Sequence, residues 1–60
     1  MDVNEYTVCL DGVNGYSEEF YTTNDFKELI YWVEEDLRRL GGGHADIYDE
    51  DGDFVEDVEV

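Results

Sequence analysis

Residues 24–40, NDFKELIYWVEEDLRRL, constrain the fold of this chain more than any other stretch. Phe26, Leu29, Ile30, Val33, Leu37 and Leu40 recur at three- and four-residue intervals, the spacing of one apolar stripe on an amphipathic helix. Thr22, Thr23 or Asn24 offers a capping side chain, Asp25 falls in the first turn, and Arg38 and Arg39 fall in the last. Glu34 with Arg38 and Glu35 with Arg39 are spaced for i,i+4 ion pairs. Gly41-Gly42-Gly43 ends the helix, because glycine enters a left-handed cap freely. A lone helix with one apolar stripe needs a second layer to cover it, and the flanking segments supply one.

Residues 5–22, EYTVCLDGVNGYSEEFYT, read as a β-hairpin with Val13-Asn14-Gly15 as a three-residue loop. That register places Val8 opposite Phe20, Leu10 opposite Glu18 and Tyr6 opposite Thr22. Tyr6, Val8, Leu10 and Phe20 then share the core face, while Thr7, Cys9, Ser17, Glu19 and Tyr21 share the other. Residues 44–60 read as a second hairpin turning at Asp51-Gly52. There Ala45, Ile47, Phe54, Val58 and Val60 point inward, and His44, Asp46, Tyr48, Val55, Asp57 and Glu59 point outward. The expected fold is α+β, a ββαββ single domain over 1–60 with a four-stranded, mainly antiparallel sheet and one helix on one face. A β-grasp-like strand order, with the first and last strands central and parallel, is the expected arrangement.

The charge is as unusual as the pattern is ordinary. Eighteen acids against three bases give a net charge of −15 in 60 residues. All three Lys and Arg residues, Lys27, Arg38 and Arg39, lie in the helix, whereas residues 41–60 hold eight acids and no Lys or Arg. A compact chain of this length spans about 27 Å, so the charge density is about one per 1.8 Å, against about one per 1.7 Å for duplex DNA. At 42% hydrophobic and 15% aromatic, the composition nevertheless suits a folded core rather than a disordered acidic tail. Cys9 is the only cysteine, and MDVNEYTVCL has neither a basic region nor an apolar run. A reducing cytoplasm is expected, with no secretion signal and no membrane span.

Known site chemistries fit poorly. With Gly52 at position 6 of a calcium loop, Asp49 and Asp51 fall at positions 3 and 5, but Ile47 and Val58 occupy the ligand positions 1 and 12. No metal or cofactor is therefore expected. Cys9 and His44 are the only nucleophile and base that could be paired, and nothing in their spacing brings them together, so no enzyme is expected. Trp32 flanks the helix stripe, and Tyr31 points to its outer side. Direct nucleic-acid binding is excluded by repulsion from phosphates.

Two uses of the acids remain: a salt-adapted or general interaction surface, and imitation of nucleic-acid phosphates. Same-face residues on a strand lie about 6.6 Å apart, close to the spacing of successive phosphates. In length, charge and the hairpin, "TTNDFKELIYW" helix and acidic strand layout, the chain resembles the small acidic phage-encoded counter-defence proteins. These include anti-CRISPR and anti-restriction DNA mimics and inhibitors of uracil-DNA glycosylase. The likeness spans the chain but contains no diagnostic motif, so no residue role is carried over. It implies an inhibitor, monomeric or homodimeric, acting in a host cytoplasm on a basic nucleic-acid-binding protein or effector subunit. The expected contact residues are Glu19, Tyr21, Asp46, Tyr48, Asp49, Glu50, Asp51, Asp53, Asp57 and Glu59.

Self-repulsion at this charge opposes the compact state. Added salt, which shortens the screening length to about 10 Å at 0.1 M, is expected to raise the melting temperature. A thermal melt identical at low and high salt would contradict this.

Overall fold

The computed structural model describes residues 3–60. Its elements are β1 (Asn4–Gly12), β2 (Gly15–Thr23), α1 (Phe26–Arg39), β3 (Gly43–Tyr48) and β4 (Phe54–Glu59). The strands form one antiparallel sheet in the order β2-β1-β3-β4, with α1 packed on one face. This is the expected α+β, ββαββ architecture. The strand order is not β-grasp-like: the central strands are β1 and β3, antiparallel to each other, and β4 lies at an edge.

The helix forms where its periodicity places it. Its N-cap is Asp25 rather than an earlier residue, and the Asp25 carboxylate accepts from the amides of Lys27 and Glu28. Thr23 Oγ1 in turn accepts from the Asp25 amide at 3.0 Å, which turns the chain from β2 into the helix. At the other end the Gly42 amide donates to the Leu37 carbonyl and the Gly41 amide to that of Arg38. With Gly41 at φ 82°, these bonds form a Schellman cap. The helix ion pairs are Glu35–Arg38 and Asp36–Arg39, at i,i+3 spacing rather than i,i+4. Both arginines and Glu35 are exposed and only Asp36 is partly buried, so the pairs contribute little stability.

Leu29, Val33 and Leu37 are the fully buried part of the stripe. They meet Val8 and Leu10 of β1, Ala45 and Ile47 of β3, and Val58 of β4. Phe26, Ile30, Trp32, Leu40, Tyr6 and Tyr21 surround this cluster, half-buried, with Tyr6 and Phe26 ring to ring at 5.8 Å.

Both hairpins depart from the expected registers, each for an identifiable reason. In the first, Gly12 pairs with Gly15 and the turn is Val13-Asn14, one residue shorter than expected. Two long-range bonds hold that turn: the Val13 amide donates to the Gly42 carbonyl and the Asn14 amide to that of Leu40, each at 2.8 Å. Val8 consequently faces Glu19, not Phe20, and every side chain of β2 changes sides. Phe20 leaves the core and is 76% exposed, while Ser17, Glu19 and Tyr21 move to the helix side.

In the second hairpin the ladder runs as expected from Ala45–Val58 to Ile47–Glu56, then shifts so that Tyr48 pairs with Phe54. Val55 becomes the extra residue of a bulge, and Phe54 turns outward, 58% exposed. The connection is a five-residue loop, 49–53, rather than a two-residue turn. The Asp49 Oδ1 atom accepts from the amides of Asp51 and Asp53, both at 2.9 Å, so the aspartate side chain substitutes for ladder bonds. Val60 continues the ladder opposite Gly43 but stays exposed.

These registers separate two large-to-small substitutions sharply. Leu29→Ala is expected to cost about 2–5 kcal/mol, and Phe20→Ala no more than about 0.5 kcal/mol. Chemical denaturation of both variants checks this; equal, large losses would restore Phe20 to the core.

Candidate functional site

The face of the sheet opposite the helix has no covering layer, and the registers arrange its side chains in rows across the strands. One row is Phe20, Thr7, Tyr48 and Phe54. About 6.6 Å along the strands lies the row of Glu18, Cys9, Asp46 and Asp57, followed by Tyr16, Asp11, His44 and Glu59. On the other side of the aromatic row, Thr22 and Glu5 complete the face. Acids thus bracket an aromatic stripe from both sides.

Of the residues expected to contact a partner, Asp46, Tyr48, Asp57 and Glu59 lie on this face. Asp46 and Asp57 stand directly opposite each other, an unfavourable pairing for like charges. His44 stands between them: its Nε2 lies 3.3 Å from Asp46 Oδ1 and 3.5 Å from Asp57 Oδ2. Tyr48 and Phe54 pack edge to face, with centroids 6.0 Å apart.

Asp49, Glu50, Asp51 and Asp53 form the loop at one end of the sheet. The carboxylates of Asp49, Asp51 and Asp53 gather within 4.8 Å of one another. Turn geometry accounts for the gathering, since Asp49 Oδ1 is already committed to two backbone amides. The flanks are strands, unlike the helices of a calcium-binding loop. Beside this loop runs an open groove of about 360 Å³ whose walls include Glu5, Thr7, Phe20, Asp49 and Glu50.

Glu19 and Tyr21 are not on the open face. Both point to the helix side because of the shortened first turn. Glu19 accepts from Ser17 Oγ at 3.0 Å. Tyr21 stacks on Trp32 at 5.9 Å and donates its hydroxyl to Asp36. Burial, then the hydrogen bond to the Asp36 carboxylate, raises the Tyr21 phenol well above its ordinary value.

The expected registers misplaced Tyr16, Glu18 and Phe20 on β2 and Phe54 on β4, whereas Asp11 and Glu5 continue the outward alternation of Thr7 and Cys9 along β1. The Gly12–Gly15 bracket around Val13-Asn14 was the available signal for the β2 residues, since two glycines three positions apart also suit a two-residue turn. Nothing local signals the Val55 bulge. Cys9 is half-buried on this face, with Sγ 3.7 Å from Glu18 Oε2. A hydrogen bond with the Cys9 side chain raises the Tyr16 phenol, with smaller repulsive contributions from Glu18 and Asp11. No helix among the described residues is long and apolar enough to cross a membrane. The chain matches no protein-family model, no curated protein and no solved structure.

Because the folded phenol of Tyr21 has the higher value, it stays protonated after the unfolded phenol begins to ionise near pH 10. Its contribution to stability is therefore complete below about pH 10 and declines as pH rises beyond it. Tyr21→Phe is expected to shallow the alkaline fall of melting temperature above about pH 10. Parallel pH profiles of wild type and variant would contradict this.

Proposed function

We propose that this protein binds a basic nucleic-acid-binding protein and blocks its phosphate-binding groove, as a counter-defence inhibitor in a host cytoplasm would. The observation that carries the reading is the one-sided placement of charge. The open face and the 49–53 loop gather acids with His44 as their one basic group, whereas Lys27, Arg38 and Arg39 all lie on the helix. Along the 36 Å long axis, a net charge of −15 amounts to about one charge per 2.4 Å, against about one per 1.7 Å for duplex DNA. Acids about 6.6 Å apart along a hydrogen-bonded strand are preorganised at phosphate-like intervals, so little entropy is lost in aligning them. Asp46, Asp57 and Glu59 would stand for successive phosphates, Asp49, Glu50, Asp51 and Asp53 would extend the track, and Tyr48 would supply contact area.

Salt adaptation explains acidity in general. It does not require bases to be confined to one side or aromatics to lie among the acids of the other, and on these two counts mimicry accounts for more.

Capture from a host lysate, followed by competition, tests the proposal. The captured partner is expected to be a nuclease, glycosylase or CRISPR effector subunit, and this protein should displace DNA from it less effectively as salt rises. Reversal of Asp46, Asp57 and Glu59 to Lys should weaken binding by more than about tenfold. Reversal of Glu34 and Glu35 on the helix should change it little. A ternary complex in which the partner holds DNA and this protein together would refute mimicry.

A further inference from the structure

The open face carries more than negative charge. An array that only imitated phosphates would have no use for Phe20, which is 76% exposed, or Phe54, which is 58% exposed. Large aromatic rings on a solvated sheet carry a cost in exposed apolar area, and contiguous ones mark contact surfaces. Here they are contiguous across the sheet: Phe20 on β2, the apolar flank of Thr7 on β1, Tyr48 on β3 and Phe54 on β4. Carboxylates lie on either side of the row, with Glu18, Asp46 and Asp57 about one strand repeat away and Glu5 on the opposite flank. The groove beside Phe20 repeats this combination at one end of the row, with Glu5, Asp49 and Glu50 around an aromatic wall.

An aromatic face with carboxylates one repeat away selects among cations. A lysine ammonium is a compact, strongly hydrated point charge that any carboxylate satisfies. An arginine guanidinium is planar and weakly hydrated: it lies flat on a ring while its edge donates two parallel hydrogen bonds to a carboxylate beside that ring. Phosphate mimicry alone rewards arginine and lysine alike.

We infer that the open sheet face is an arginine-recognition surface, whose occupant is an extended, arginine-bearing segment of a protein laid along the Phe20–Tyr48–Phe54 row. Its guanidinium groups stack on these rings and reach Glu18, Asp46 and Asp57 on one side and Glu5 on the other. The inference rests on the proposed function only in taking this face as the contact surface; it requires no nucleic-acid competitor.

The test uses two capped peptides of equal length and charge, one alternating arginine with serine and the other lysine with serine. Each is titrated into the isotope-labelled protein and followed by amide chemical shifts. The arginine peptide is expected to bind more tightly by about two- to fivefold for each stacked guanidinium, with shifts concentrated on the four strands, β2 with Phe20 and Glu18 included, rather than on α1. In the triple variant Phe20→Ser/Tyr48→Ser/Phe54→Ser the two peptides should bind equally. The variant Phe20→Leu/Tyr48→Leu/Phe54→Leu, which keeps apolar bulk but removes the ring faces, should lose the preference too and guards against misfolding of the serine variant. Equal affinities in the wild type, a preference that survives loss of the rings, or shifts concentrated on α1 would each overturn the inference. Arginine preference without displacement of nucleic acid from a captured partner would leave this recognition standing and reject mimicry. Displacement without arginine preference would do the reverse.

Discussion

The fold depends on a junction where three segments meet with almost no side-chain volume between them. The end of α1, the turn between β1 and β2, and the start of β3 converge at Gly12, Gly41, Gly42 and Gly43. A β-carbon on Gly12 would collide with Leu40, and one on Gly43 with the Asp11 carbonyl. Only bare backbone permits this approach, and the approach is what lets the Val13 and Asn14 amides reach the carbonyls of Gly42 and Leu40. Once β3 begins beside Gly12 it can pair only with β1, so the central pair is antiparallel and β4 is left at the edge. The same bonds hold the β1–β2 turn at two residues, and with it the facing of every β2 side chain.

The remainder of the molecule reconciles a small core with a large charge. Eight side chains form the buried cluster, and all are aliphatic. No acid is among the buried residues of the described chain, so no carboxylate there is fully stripped of its hydration. The edge strands carry Glu18 and Glu19 on β2 and Glu56, Asp57 and Glu59 on β4, charges that discourage further strands from adding to the sheet. Where acids do oppose one another, at Asp46 and Asp57, an imidazole is placed between them.

The helix and its stripe were legible in the sequence because 3.6-residue periodicity is a local property, and Leu29, Val33 and Leu37 are buried as that periodicity requires. The inward facing of Val8, Leu10, Ala45, Ile47 and Val58 was legible for the same reason, with a period of two. The facing of Phe20, Tyr21 and Phe54 was not. A strand's register depends on its turn; one turn is held by bonds from the distant helix end, and the other is widened by a single aspartate side chain. A shift of one residue leaves an alternating pattern looking equally plausible while exchanging its faces. The outward strand residues Asp46, Tyr48, Asp57 and Glu59 were readable, therefore, and Phe20 and Phe54, which extend Tyr48 into an aromatic stripe, were hidden.

Confinement of the three bases to α1 has a dynamic consequence. The centre of negative charge is displaced from the centre of mass toward the sheet, so the molecule carries a permanent electric moment besides its net charge. In the field of a positively charged object such a body experiences a torque as well as a pull. It turns while still diffusing, and the sheet leads. The uncovered face is therefore favoured in the first collision as well as in the final complex, and ionic strength acts on the orientation of the encounter together with its frequency.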